Sequence, residues 1–230
     1  MKIGTCSRSF ALWVALACLS IAGGCTTSVG SESGIRLDGI DSSIGLKPKP
    51  VTRAYFSTDP STADFYLTDL SEDALEVGSS LSGISGTITH VHLFAIPKAG
   101  KTPIDRTAST AAVRTLVIAQ GHLGVYGGGG FMLPSGKPGA RSFGGSISGA
   151  SIRLTGTTPG FEDRIGAGEF SARLSTPLDQ PTAHRIAARL EELVRLTLPV
   201  TIGDGIPDDR ERASEPDPLD EVASDPQQNE

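Results

Sequence analysis

The chain has 230 residues, of which 38% are hydrophobic and only 5% aromatic, and its formal net charge is −6. Between Gly203 and Glu230 ten acidic residues face Arg210 and Arg212, whereas residues 26–202 carry sixteen charges of each sign. Without a basic stripe to neutralise phosphates or many rings to stack on bases, nucleic acid is excluded as an expected partner.

The first element is an export signal over residues 1–24. Lys2 and Arg8 are positive, Phe10 to Ile21 is apolar without a charge, and Ala22, Gly23 and Gly24 are small. A permanent bilayer span needs about 20 apolar residues, and this run is shorter. No later run reaches that length, so no transmembrane helix is expected. Cys6 and Cys18 fall inside the signal, which leaves Cys25 as the one thiol of the mature chain. An unpaired cysteine in an exported protein calls for a chemical role.

The stretch LSIAGGCTTS, residues 19–28, resembles the lipobox of bacterial lipoproteins. That resemblance implies that Cys25 is acylated, becomes the N-terminus and anchors the chain to a membrane of the bacterial cell envelope. Two or three acyl chains, at about 0.8 kcal/mol per buried CH₂, hold durably where one does not. Thr26 stands where Asp would mark inner-membrane retention in some Gram-negative lipoproteins, so the resemblance implies the outer membrane rather than the inner. Ala22 and Gly24 also fit ordinary signal-peptidase cleavage, which would leave Cys25 unmodified.

Residues 25–50 are rich in Ser, Gly and Thr and show neither helical nor strand periodicity, so they read as a lipidated N-terminus and flexible tether. Residues 51–200 read as a β-rich globular domain. Its candidate strands are VTRAYF from Val51, DFYLTDL from Asp64, TITHVHLFAIP from Thr87 to Pro97, AVRTLVIAQ from Ala112, LGVYG from Leu123, FGGSISGASIRLTG from Phe143 and GEFSARL from Gly168. In the strongest, Ile88, His90, His92, Phe94 and Ile96 share one face and Thr89, Val91, Leu93 and Ala95 the other, which predicts a central strand covered on both sides. Short strands divided by Gly and Pro predict a mainly β fold, an antiparallel β-sandwich or open barrel.

One amphipathic helix is expected near the C-terminus, over Pro181 to Pro199. Ile186, Ala187, Leu190, Leu193, Val194 and Thr197 recur at helical spacing. Thr182 and Asp179 compete for the N-cap, and Arg185, Arg189, Glu192 and Arg195 fall on the wet side. Because that polar face is mixed in sign, the helix should dock on the β core. Residues 201–230 are Pro-, Asp- and Glu-rich, the composition of an acidic disordered tail. Within them DGIPDD, Asp204 to Asp209, is similar to the end of calcium loops in thrombospondin type 3-like repeats. Ile202 and Val200 stand where carboxylate ligands would precede it, so the segment reads as a solvated acidic linker.

Two stretches carry candidate chemistry. YGGGGFMLPSGKPG, Tyr126 to Gly139, suggests a phosphate loop, but Gly130 lies six residues before Gly136 and Pro138 replaces the magnesium-binding hydroxyl. The Gly127 to Gly130 run reads instead as a bulged hairpin or a close approach of two backbones. His90 and His92 project the same way from one strand and could share a metal ion, with His122 as the candidate third ligand. The plainer reading pairs both imidazoles within the sheet. Asp64, Asp69, Asp105, Glu162 and Asp163 read as turn and surface residues, since no spacing pairs two of them. No metalloprotease, cysteine-zinc or nucleophile-elbow motif occurs. The first expectation is therefore a lipid-anchored envelope domain, a non-enzymatic binding or structural module whose unknown ligand, glycan or protein partner meets its loops and which needs no cofactor. The alternative is a metal-dependent enzyme centred on His90 and His92.

Overall fold

Alternation of buried and open side chains builds the sheet, and the chain's tenth strand shows it most regularly: Gly168, Phe170, Ala172, Leu174 and Thr176 are buried while their neighbours are not. The structure, a computed structural model, describes residues 34–97 and 108–200. The segment expected to be an export signal, Cys25, Asp105 and the acidic residues 201–230 lie outside the described residues. In chain order the strands are β1 (Gly34–Gly39), β2 (Gly45–Leu46), β3 (Thr52–Phe56), β4 (Ala63–Thr68), β5 (Gly86–Leu93), β6 (Ala111–Ala119), β7 (His122–Gly130), β8 (Met132–Ser135), β9 (Ser142–Thr157), β10 (Gly168–Pro177) and β11 (Leu198–Pro199). A helix, α1 (Gln180–Arg195), precedes β11, and one 3₁₀ turn covers Asp73–Leu75.

The strands form one antiparallel sheet in the order β2-β1-β10-β9-β7-β6-β5-β4-β3, with β8 and β11 also pairing to β9. The mainly β, open-barrel expectation is thus met by a single sheet curled into a half-barrel. Its curl brings β3 to the end of β10, where Asp179 N–H donates to Tyr55 O at 3.1 Å and Tyr55 bridges Leu178. The Tyr55, Phe65 and Phe143 rings pack on the inner face with centroids 5.3 to 5.7 Å apart. Leu37, Leu67, Val91, Leu93, Tyr126 and Phe170 join them there.

A second core lies on the outer face, where Ala183, Ile186, Leu190 and Leu193 of α1 cover Ala54, Tyr66, Ile88 and Leu116. A 16-residue helix is marginal alone. Full burial of each large apolar side chain stabilises by roughly 1.5–3 kcal/mol, so Ile186, Leu190 and Leu193 hold it to the sheet. Asp179 wins the N-cap: its Oδ1 accepts Thr182 N–H at 3.1 Å. The helix stops at Arg195, short of Pro199, and the chain returns to the sheet as β11.

Three expectations need correction. The tether expected over residues 25–50 is already sheet from Gly34, because Ile35 and Leu37 enter the inner core while β1 pairs with β10. Arg189, expected on the wet side of the helix, is only 1% exposed. The segment after the 3₁₀ turn folds over it, and its guanidinium donates to Ala74 O at 3.1 Å and to Ser79 O and Oγ, each at 2.8 Å. Glu192 Oε2 takes a further bond at 2.7 Å. Finally, β5 is not apolar on both faces throughout: Ile88 lies under α1, but His90 and His92 are only half-buried and Phe94 is 44% exposed. The helix cover ends before it reaches them. Among the described residues no helix is long and apolar enough to cross a membrane.

Candidate functional site

The uncovered part of the outer face is where polar side chains collect, and strand register sets their order. Tyr66 of β4 stands opposite His90 of β5, His90 opposite Arg114 of β6, Arg114 opposite Gly127 of β7, and Gly127 opposite Arg153 of β9. One row of cross-strand neighbours therefore runs over five strands. Gly127 leaves a gap in that row, with Arg114 and Arg153 two strand spacings apart, about 10 Å. The result is a groove of about 670 Å³ bordered by His90, His92, Arg114, Arg153 and Thr155, with Gly127 and Ala112 along its floor.

The Gly127 to Gly130 run thus belongs to a strand rather than to a loop. None of the four adopts a positive φ. Close backbone approach explains three of them: a Cβ at Gly128 would lie 1.9 Å from Ser151 O, one at Gly129 2.9 Å from Ala111 O, and one at Gly130 2.8 Å from Ala150 Cα. The bulge sits just before the run, between Val125 and Tyr126 in the β7–β9 ladder.

His90 and His92 do point the same way, as expected, and a carboxylate that the sequence reading placed at the surface joins them. Asp64 lies directly across from His92 and diagonally from His90. Its Oδ1 accepts from His90 Nε2 and from His92 Nδ1, each at 2.8 Å. Burial pushes the Asp64 carboxyl up, but the two histidine hydrogen bonds and the imidazole charge outweigh burial and hold it below the ordinary carboxylate range. An ionised carboxylate only accepts, so both facing ring nitrogens carry hydrogens in this arrangement. Tyr66 stacks on the His90 ring, with centroids 4.5 Å apart and planes 3° from parallel, and fixes its orientation.

His122 does not take part. It opens β7 opposite Ala119, at the far end of the β6–β7 ladder from His90, and its Nδ1 bonds Pro159 O at 2.9 Å. The fourth histidine, His184 on α1, meets the Phe56 ring edge-on. Among the other carboxylates, Asp69 accepts Thr87 N–H at 2.5 Å, Asp163 accepts Tyr126 OH at 2.6 Å and the Ile165 and Gly166 amides, and Glu162 pairs with Arg164. These are turn and support roles.

The two arginines differ in availability. Arg114 is held by Glu191 of α1 at 2.9 Å. Arg153 is exposed and has no side-chain partner among the described residues. Thr155 donates its hydroxyl to Val125 O at 3.0 Å, which ties it to the sheet rather than freeing it as a nucleophile. Comparison of the chain with protein-family models, curated proteins and solved structures gives no match, so the chemistry of this groove carries the functional reading.

Proposed function

We propose that the protein is a lipid-anchored module of the bacterial cell envelope that binds a small anionic ligand in its outer-face groove. The observation that carries the binding half is Arg153, a guanidinium with no side-chain partner among the described residues, facing Arg114 across the Gly127 gap. A planar guanidinium presents its donors in a fork that matches carboxylate or phosphate oxygens, and the groove has the volume of a small-molecule site. The rigid sheet beneath keeps the two arginines at a fixed separation. The anchoring half rests on the Cys25 lipobox and on Thr26, which favours the outer membrane.

Each half has its own test. Palmitate-analogue labelling should mark the wild type and not Cys25→Ala, and the variant should move from the membrane fraction to the soluble one. Equal labelling of both chains, or of neither, contradicts the anchor. For the groove, titration of the soluble Cys25→Ser chain with inorganic phosphate at low ionic strength should give saturable binding that Arg153→Gln weakens at least five-fold. Binding that is absent, or unchanged in Arg153→Gln, contradicts the anionic-ligand reading.

A further inference from the structure

We propose that Asp64, His90 and His92 form a three-ligand site for a divalent transition-metal ion at the edge of the groove. The donor set is two imidazole nitrogens and one carboxylate oxygen, whose ligand atoms all lie within 4.8 Å of one another. Metal bonds of about 2.1 Å at tetrahedral or octahedral angles separate neighbouring donors by about 3.0 to 3.4 Å. The present oxygen–nitrogen distances of 2.8 Å need to open by only a few tenths of an ångström.

The proton balance is straightforward. Each facing ring nitrogen gives up its hydrogen and presents a lone pair. In a neutral ring the hydrogen reappears on the other nitrogen, and a cationic ring releases one proton to solvent. The carboxylate is already ionised. Two imidazoles and a carboxylate suit borderline ions such as Zn²⁺, Co²⁺ or Ni²⁺ rather than Mg²⁺ or Ca²⁺, which prefer an all-oxygen shell.

Support and access both fit a metal centre. Paired antiparallel strands β4 and β5 hold the three ligands, and the stacked Tyr66 ring orients His90. The His92 side chain is 40% exposed, while Asp64 and His90 are each 19% exposed. The ion would therefore be reached from the groove. Three protein ligands leave at least one coordination position open, as in sites that bind water or a ligand's oxygen. This site stands independently of the anion reading, because none of its ligands is an arginine and its probe is the metal alone.

Isothermal titration of the soluble Cys25→Ser chain with Zn²⁺, in phosphate-free buffer, tests it. Replacing Cys25 removes a competing thiolate. The expected result is one Zn²⁺ per chain with a micromolar or tighter Kd, weakened at least 30-fold in both Asp64→Asn and His92→Ala and unchanged in His122→Ala. A pair of surface histidines alone would be insensitive to Asp64→Asn. To remain decisive if a variant misfolds, Co²⁺ added to the same wild-type chain should broaden or shift the His90 and His92 imidazole NMR signals selectively. No Zn²⁺ binding below about 100 μM, binding that survives Asp64→Asn undiminished, or Co²⁺ effects centred on His122 or His184 would each overturn the site. Phosphate binding lost in Arg153→Gln with Zn²⁺ binding intact would separate failure of one site from failure of the other.

Discussion

Arg189→Ala is expected to destabilise the domain by about 3 to 5 kcal/mol, the largest effect of any polar substitution proposed for this chain. The guanidinium lies between α1 and the segment that follows the 3₁₀ turn, and it satisfies Ala74 O, Ser79 O and Ser79 Oγ at once. Removing it takes the guanidinium donor from the half-buried Ser79 O and Oγ, leaves Ala74 O with only the Ser79 hydroxyl, and empties the volume of a large side chain. Glu192 holds the same segment through Gly78 N–H at 2.9 Å, but it is partly open to water and contributes less. Glu192→Gln should therefore destabilise less than Arg189→Ala. Urea unfolding of the two variants gives the comparison. A loss below 1 kcal/mol for Arg189→Ala would mean that the segment is not held by this contact.

Gly128→Val should be the most damaging change in the glycine run, at about 3 kcal/mol or more. Its Cβ would fall on backbone, Ser151 O and Ile152 Cα, and backbone cannot rotate aside as a side chain can. Either β7 and β9 separate or the ladder breaks. Gly127→Ala is the control one residue away: its nearest atom would be Thr155 Cγ2 at 3.1 Å, a side-chain contact, and about 1 kcal/mol or less is expected. Thermal melting of the two variants distinguishes them. If both fall equally, the glycines matter for strand flexibility and not for close approach.

Much of the sheet was legible because strands on a one-sided core alternate with period two. β3, β4, β5, β6, β9 and β10 all lie within a few residues of their predicted runs. What stayed hidden depends on partners distant in sequence. GIRLDG became β1 only because β10 offers it an edge, in the register Gly34 to Arg173. MLPS became β8 although Pro134 argues against a strand; its only ladder is to β9, and a proline is tolerated where a strand pairs on one side. Arg189 looked wet because the segment that buries it lies 110 residues earlier.

The candidate site was half legible for the same reason. His90 and His92 announced themselves by spacing, since side chains two apart on a strand share a face. Asp64 did not, because it lies 26 residues before His90 and only the β4–β5 register brings them together. The available signal was that Asp64 and Tyr66 interrupt an alternating apolar run and must share the face opposite to Phe65 and Leu67. His122 was a natural third ligand by residue type. The same register argument removes it: it pairs at the wrong end of the ladder.

The most direct test of the proposed groove chemistry is an anomalous-diffraction experiment on crystals of the soluble chain grown with Zn²⁺ and measured on both sides of the zinc absorption edge. The predicted result is one dominant peak about 2.0 to 2.2 Å from an Asp64 carboxylate oxygen, His90 Nε2 and His92 Nδ1, with its remaining coordination directed into the groove. Density showing Asp64 still hydrogen-bonded to both imidazoles, with zinc absent from this cluster or bound at other histidines, would contradict the account.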